Sequence, residues 1–517
     1  MKGYRKLQRM GKSSLIGEIK QHVSKQHIPK VYFGRFPSFL NKFDLDKELV
    51  LRQYLVRRTM GLCFNASILS FFGAGRQFVV APPHVANILH DNNVLSSKFF
   101  ALVFWHIYIF AIWLHGQTML IKLCIQTFPS LNQREARIHN SVFFYGLTAN
   151  NLPRNSNASS GSDIISWYIT QKKNGDVHNV FHSVSAVQKK QKCGDVNVVY
   201  LRHEMAVPLT SITWLKFLCW GCGTALYTLI DLLRGRWGAA FLSAEIYKAK
   251  LADLIPRHLH LSECWFPQTG GMYRPLWTYI ATTKGTKIVL YFYSLNNNAI
   301  QPSADKQIDL GFWHLASWPI YLVWTDYQRE WIEARAKKKA EFEVIGSLPF
   351  SDGGVRLPNI KLKSVAVFDV QPFRPFKHAT MAQIFEYYNA KNCLQFLIDI
   401  NQIAQNNGFH LYVKNKRNIG KIAHPKYVKG FKELENSSDV FIPIDPDASA
   451  HDLIGRVNVV VSLPFTSTAL IARDQRKPTC YYDPLGIIDG YDDRANGVRV
   501  IGSKDALENW ISQHIEL

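Results

Sequence analysis

The stretch "VVVSLPFTSTALIARDQRKPTCYYDP", Val459 to Pro484, decides the fold. Its β-branched opening reads as a buried strand that stops at Pro464-Phe465. Three hydroxyl residues in a row, Thr466, Ser467 and Thr468, then lead into an Ala/Leu/Ile helical pattern. A strand that passes directly into a helix is the repeating unit of α/β proteins. The hydroxyls admit two readings. Ser and Thr cap helices by accepting the orphan amide protons of the first turn. The same helix start, with free N–H groups and a partial positive charge, can instead hold a phosphate.

The alternation continues on both sides of this joint. Ser364–Val370, Phe409–Lys414, Val440–Ile444 and Val457–Leu463 read as strands, and helices are expected over Asn389–Asn407 and Ser449–Arg456. Further upstream, Asp163–Thr170, His258–Phe266, Thr286–Ser294, Pro319–Thr325 and Phe342–Phe350 also read as strands. Helices over Ala244–Leu254 and Asp326–Glu341 separate some of them. Strand and helix in alternation imply parallel sheets covered on both faces. The Gly/Pro-rich loop 351–361 reads as a linker. The expected organisation is a basic, mostly helical region over 1–160, a Rossmann-like domain over 161–350, that linker, and a second Rossmann-like domain over 362–517. Two such domains face each other across a cleft, and ligands in open α/β sheets sit beyond the carboxyl ends of the strands.

Composition narrows the classes. At 517 residues the chain is too long for one core. With 47% hydrophobic and 13% aromatic residues it is not a disordered protein. Its 61 Lys+Arg against 39 Asp+Glu give a formal charge of +22, which calls for an acidic partner. Nucleic acid is disfavoured, because no recognition motif is present and the aromatics sit inside strands rather than among Lys and Arg. Residues 1–60 hold fourteen Lys/Arg against four Asp/Glu, with no long apolar core behind them, so a cytoplasmic location is expected. The eight cysteines show no framework spacing, and Cys219-Trp-Gly-Cys222 lacks the second pair of a zinc site.

Two apolar stretches bear on membranes. Phe99–Leu114, extendable to Ile121, is aromatic-rich and stops short of the roughly 20 residues that span a bilayer. Beside a basic segment it suits a helix lying in the headgroup region of an anionic membrane, on the inner face; a core helix or a span are the other readings. Phe217–Ile230, between Lys216 and Asp231, reads as a buried helix.

Candidate site residues gather where strands of the second domain end. Asp369 closes the first, Lys414, Lys416 and Arg417 leave the second, Thr466, Ser467 and Thr468 leave a later one, and Asp483 follows "CYY". From Lys414 to Lys432 there are seven Lys/Arg and no acid, with His424-Pro425 inside the run. A basic loop and a hydroxyl-lined helix start on one rim match a phosphate-bearing ligand, and a solvated basic face is the plainer alternative.

The segment "HDLIGRVNVVVSLPFTSTALIARDQRKPTCYYDP", with Pro464-Phe465-Thr466-Ser467 at its centre, resembles the signature of the bacterial polysaccharide-biosynthesis PFTS motif proteins. "FLIDINQIAQNNGFHLYVKNKR" is similar to the same family's helix, strand and Lys-x-Lys-Arg ending. The likeness runs over about 162–517 and is strong after Val365. It implies a glycosyltransferase of two-Rossmann, GT-B architecture, distantly similar to enzymes that use CMP-activated sialic-type or Kdo-type sugars. Those relatives set a His-Pro pair and a hydroxyl pair around CMP, for which His424-Pro425 and Thr466/Ser467 are the counterparts. No cofactor beyond a nucleotide-sugar co-substrate is implied, and the acceptor is a glycan or a lipid-linked saccharide.

Sugar transfer leaves negative charge on the departing phosphate and needs a base for the acceptor hydroxyl. No Asp-x-Asp metal pair stands out, since Asp445-Pro-Asp447 reads as a helix cap, so cations and helix amides are expected to carry the phosphate. The base is expected from the first domain, with Glu263 and Asp326 as candidates at strand ends. Ser294 and Asn296 are candidates for acceptor contact. A UDP- or CDP-linked donor on the same fold, or a non-catalytic membrane-associated assembly factor, are the alternatives.

Overall fold

The computed structural model describes residues 25–60, 80–91, 97–129, 140–153, 163–172, 177–187, 190–201, 209–268, 273–295, 313–336, 339–349, 355–374, 387–415 and 420–515. Two sheets organise these residues. The first is built from β1 (Ser141–Phe144), β2 (Asn179–His182), β3 (Gln191–Cys193), β4 (Val196–Tyr200), β5 (Glu263–Pro267), β6 (Lys287–Tyr291), β7 (Ile320–Val323) and β8 (Glu341–Val344). Their order is β3-β4-β2-β1-β5-β6-β7-β8. All neighbours are parallel except the β3/β4 hairpin at the edge. The central strands β1, β5, β6 and β7 are buried on both faces, as a sheet covered by helices requires.

Three sequence expectations change here. Asp163–Thr170 is not a strand but the helix Ile164–Gln171. The Asp163 carboxylate accepts from the amides of Ile165 and Ser166 at 3.0 and 2.9 Å, and that cap commits the β-branched run to a helix. The first sheet begins before residue 161, because β1 lies in its middle, pairing Val142 with both Val180 and Glu263. His258–Phe266 is strand only from Glu263, because Pro256 starts a 3-10 turn over Arg257–Leu259.

Helices Lys98–Gln126, Ser211–Leu233 and Ser243–Leu254 cover one side of this sheet's domain. The third lies beneath the other two: Gly116 abuts Ser243, and Trp220 packs edge-on against Tyr247. A Cβ at Gly116 would meet Ser243 Oγ at 2.0 Å, so only glycine allows that approach. The helix Lys47–Leu55 is tied in by Gln53, whose side chain donates to Ser317 and accepts from the amide of Arg274.

The second sheet contains β9 (Ser364–Asp369), β10 (His410–Asn415), β11 (Phe441–Ile444), β12 (Val459–Ser462), β13 (Thr479–Tyr482) and β14 (Val500–Ile501). The order β11-β10-β9-β12-β13-β14 is parallel throughout, the 3-2-1-4-5-6 arrangement of a Rossmann fold. The helices that cross over are capped as their sequences direct: Asn389 caps Ala390–Asn407, His424 caps Pro425–Ser437 and Ser449 caps Ala450–Arg456. The strand order reverses between β9 and β12. A crevice therefore opens at their carboxyl ends, beside Asp369 and the Pro464–Ser467 loop.

Candidate active site

The segments beyond β6 and β8 of the first sheet meet the helix Ser467–Asp474 of the second domain. The amide of Leu295, beyond β6, donates to Ser467 Oγ at 3.0 Å. Ser347, beyond β8, donates from its hydroxyl to Asp474 at 2.8 Å. Between them lies a cleft of 610 Å³ bordered by Trp324, Asp326, Tyr327 and Glu330 from the first domain and Arg473, Asp493 and Asn496 from the second.

The Pro464–Ser467 loop is rigidly built. Phe465 holds φ +60°, a left-handed backbone that costs a bulky side chain about 1–2 kcal/mol. Its surroundings enforce it. Tyr388 Oη donates to the Pro464 carbonyl at 2.6 Å, and Tyr481 Oη donates to the Thr466 carbonyl at 2.8 Å. The Phe465 ring packs edge-on against Tyr481, and the Arg494 guanidinium stands 4.9 Å over its centre. The helix Ser467–Asp474 that follows has no side-chain cap. Thr466 donates back to the Leu463 carbonyl at 2.9 Å, Thr468 pairs with Ser462, and Ser467 faces the first domain. Side-chain capping does not account for the three hydroxyls, and the helix start is left for another acceptor.

Two other sequence candidates in this domain are consumed by structure. Asp483, fully buried, accepts from Tyr387 Oη at 2.6 Å and from the amides of Leu485, Ile487 and Ile488 at 2.7–3.0 Å, which fastens the loop after β13. Asp369 accepts from Tyr427 Oη. With the Asn415 amide nitrogen turned toward it, Asp369 also takes a 2.7 Å bond from that residue. Complete burial pushes the Asp369 carboxyl up to about 7, the tyrosine bond working the other way. Neither carboxylate presents itself to a phosphate, which it would repel. Lys414 is also buried. Its ammonium donates to the Pro446 carbonyl at 2.8 Å, and burial lowers its pKa.

His424 stays available. It is half-buried at the start of Pro425–Ser437, and Tyr427 in the first turn of that helix ties it to Asp369. Its Nδ1 accepts from the Lys426 amide at 3.2 Å. Burial, helped by Lys426 and Arg374, lowers its pKa, so the ring is neutral near pH 7 with a proton on Nε2. Lys416, Arg417 and Asn296 lie outside the described residues.

In the first domain the two candidate bases part company. Glu263 is the first residue of β5, at the amino edge of the sheet, four residues or about 13 Å from the rim at the usual strand rise. It is 5% exposed and accepts from Trp265 Nε1 at 2.7 Å. The expectation that it ends a strand at the cleft is corrected by the short reach of β5. Asp326 opens the helix Asp326–Glu333 directly beyond β7, with Thr325 as its cap. Its carboxylate is 67% exposed, borders the cleft and pairs with Arg329 at 3.0 Å. Ser294 is buried with its hydroxyl unpartnered, beside the Leu295–Ser467 contact.

Two parallel Rossmann-like sheets that meet through the segments beyond their strands define a GT-B-type architecture. Residues 224–511, more than half of the chain, match the family described as "Polysaccharide biosynthesis PFTS motif protein", and the chain belongs to that family. No curated protein sequence matches it. Among solved structures it is similar to the α,α-trehalose 6-phosphate synthase of Burkholderia multivorans, at 10% identity over 73% of this chain and 90% of that one, TM-score 0.39. It is also similar to the UDP-forming enzyme of Burkholderia vietnamiensis, at 10% identity, 73% and 92% coverage, TM-score 0.38. The E. coli protein bound with UDP-2-fluoro glucose matches at 11% identity, 73% and 91% coverage, TM-score 0.37.

Proposed function

We propose that this protein is a glycosyltransferase of bacterial surface polysaccharide synthesis. It takes a nucleotide sugar, CMP-linked, in the second domain and passes the sugar to a glycan or lipid-linked acceptor held against the first. The observation that carries this reading is the uncapped start of helix Ser467–Asp474 at the topological switch point, fixed by two tyrosine hydroxyls and joined to the opposite domain through Ser467. Such a preorganised amide cluster stabilises the charge that grows on a departing phosphate. His424 Nε2–H is a second donor on the same rim. Asp326 is the base for the acceptor hydroxyl, because its carboxylate borders the cleft on the first-domain side. The acceptor is met at the inner face of the cytoplasmic membrane, an anionic surface suited to the basic chain and to the exposed apolar flank of helix Lys98–Gln126.

Calorimetric titration tests the donor reading. CMP is expected to bind more tightly than UMP, GMP or AMP, and Thr466→Ala with Ser467→Ala to weaken CMP by about 1–3 kcal/mol, the range for hydrogen bonds to a charged group. Equal binding of all four nucleotides, or a double variant that binds CMP like the parent, would overturn it. A preference for UMP would transfer the same site to a UDP-linked donor.

A further inference from the structure

Helix Lys98–Gln126 is the one described helix long and apolar enough to cross a membrane, with a mean hydropathy of 1.7 over its most apolar 18 residues, 22% of which are buried. Its buried positions recur along its whole length: Ala101, Trp105, Ile109, Trp113, Leu120 and Leu123. A helix seamed to the protein body from end to end cannot also run across a bilayer without tearing that seam. Helix Ser211–Leu233, which the sequence presents as buried, has the same half-buried character.

The two helices lie side by side and antiparallel. Trp113 Nε1 donates to Thr228 at 3.1 Å, Leu120 rests on Gly221, and the Cys124 carbonyl accepts from Trp214 Nε1 at 2.8 Å. Both pack on Ser243–Leu254, so their outer sides face away from the same helix. Those sides are apolar: Phe99, Ile107, Ile121 and Ile125 on one helix and Ile212 and Leu226 on the other are 59–71% exposed. Acid is missing from the outer face. Lys98–Gln126 contains no Asp or Glu, and the one carboxylate of Ser211–Leu233, Asp231, is buried under Arg35. Lys98, Lys122, Lys216, Arg234 and Arg236 remain at its flanks and ends.

We infer that helices Lys98–Gln126 and Ser211–Leu233 form one two-helix platform that lies flat in the headgroup region of an anionic bilayer, without spanning it. The inference rests on the membrane-surface part of the proposed function and adds the second helix and the geometry. Apolar side chains enter the acyl boundary while the basic flanks meet lipid phosphates, the combination that binds interfacial helices. At 29 and 23 residues the helices are about 43 and 35 Å long at 1.5 Å per residue. A surface of that extent, bare of carboxylates, suits lipid better than a protein partner, whose interfaces carry a mixed polar rim.

Flotation of the full chain with vesicles tests the platform. The parent is expected to float with phosphatidylcholine vesicles that contain phosphatidylglycerol, whose charge gives the surface a negative potential, and far less with phosphatidylcholine alone. Salt at a Debye length of about 3 Å is expected to weaken the binding. Ile107→Glu and Leu226→Glu are each expected to reduce binding about tenfold, the equivalent of about 1.4 kcal/mol, while Leu362→Glu, exposed elsewhere, leaves it unchanged. Exposed Cys219 and Cys222 are expected to lose reactivity toward an aqueous maleimide when vesicles are added. Parent-like flotation of Leu226→Glu, or unchanged cysteine reactivity, would remove the second helix from the platform. Resistance of the parent to alkaline carbonate would replace the platform with a span. CMP titration of the same variants separates the two ideas: vesicle binding without CMP binding overturns the donor reading and supports the platform alone.

Discussion

The two domains spend the carboxylates beyond their strands in opposite ways. In the second domain Asp369 and Asp483 are buried and bound by Tyr427 and Tyr387, so the acids fasten strand ends to helix and loop. What remains unspent there is the uncapped helix start at Ser467 and the His424 ring. In the first domain Asp326 and Glu330 stand on an exposed helix start, their charge open to the cleft. Under the proposed function the second domain's rim receives negative charge and the first domain's rim supplies the base. That is the division a sugar transfer needs, since a phosphate departs on one side while a hydroxyl loses its proton on the other.

The largest expected effect tests the exposed rim. With Asp326 as the base, Asp326→Asn should lower kcat by about 10²–10⁴-fold, the usual contribution of a positioned proton acceptor, with CMP affinity and Tm held. Steady-state assay with the parent's donor and acceptor measures it. A parent-like kcat would assign the carboxylate to its ion pair with Arg329 and to capping alone.

Next in size is the buried rim. Asp483→Ala strands a tyrosine hydroxyl and three amides in the interior, and a loss of about 3–5 kcal/mol of stability is expected from unpaired buried donors. Denaturant unfolding gives the value. A variant as stable as the parent but with weakened CMP binding would return Asp483 to the ligand and erase the contrast between the rims.

That contrast was half legible in the sequence. The second sheet reads off almost strand for strand, because Ser364–Asp369, His410–Asn415 and Val459–Ser462 are apolar runs with clear ends, and the Pro464–Thr468 joint marks the switch point. The first sheet was harder. β1 and β2 are four residues each, too short to show a period, and the Asp163 cap turns a strand-like run into a helix. The clamps were invisible for another reason: Tyr427 stands 58 residues from Asp369 and Tyr387 stands 96 from Asp483, separations that only the folded chain closes. Acids at strand ends therefore read as ligand contacts in the second domain and as candidate bases in the first. The apolar helix Ser211–Leu233 misled in the opposite direction, because composition does not tell a helix buried all round from one buried on half its surface.

The smallest effect is a slope with pH, and it isolates the Asp369 clamp. In the unfolded chain this carboxyl ionises near 3.9, whereas in the folded protein burial holds it protonated up to about 7. Below about pH 4 both states carry the proton and the group contributes nothing to the balance. Between about pH 4 and 7 the unfolded state has released its proton and the folded state has not, so stability falls as pH rises, by at most about 1.4 kcal/mol per unit. Above about 7 both are ionised and the cost stays constant. Asp369→Asn keeps an oxygen for the Tyr427 hydroxyl and cannot ionise, so its stability should lose this slope and its advantage over the parent should grow between about pH 4 and 7 and stay constant above. Denaturant midpoints taken from pH 5 to 8 on parent and variant read the difference. Parallel curves would mean that Asp369 is ionised throughout, an open carboxylate like Asp326, and the two rims would then differ in geometry without differing in charge.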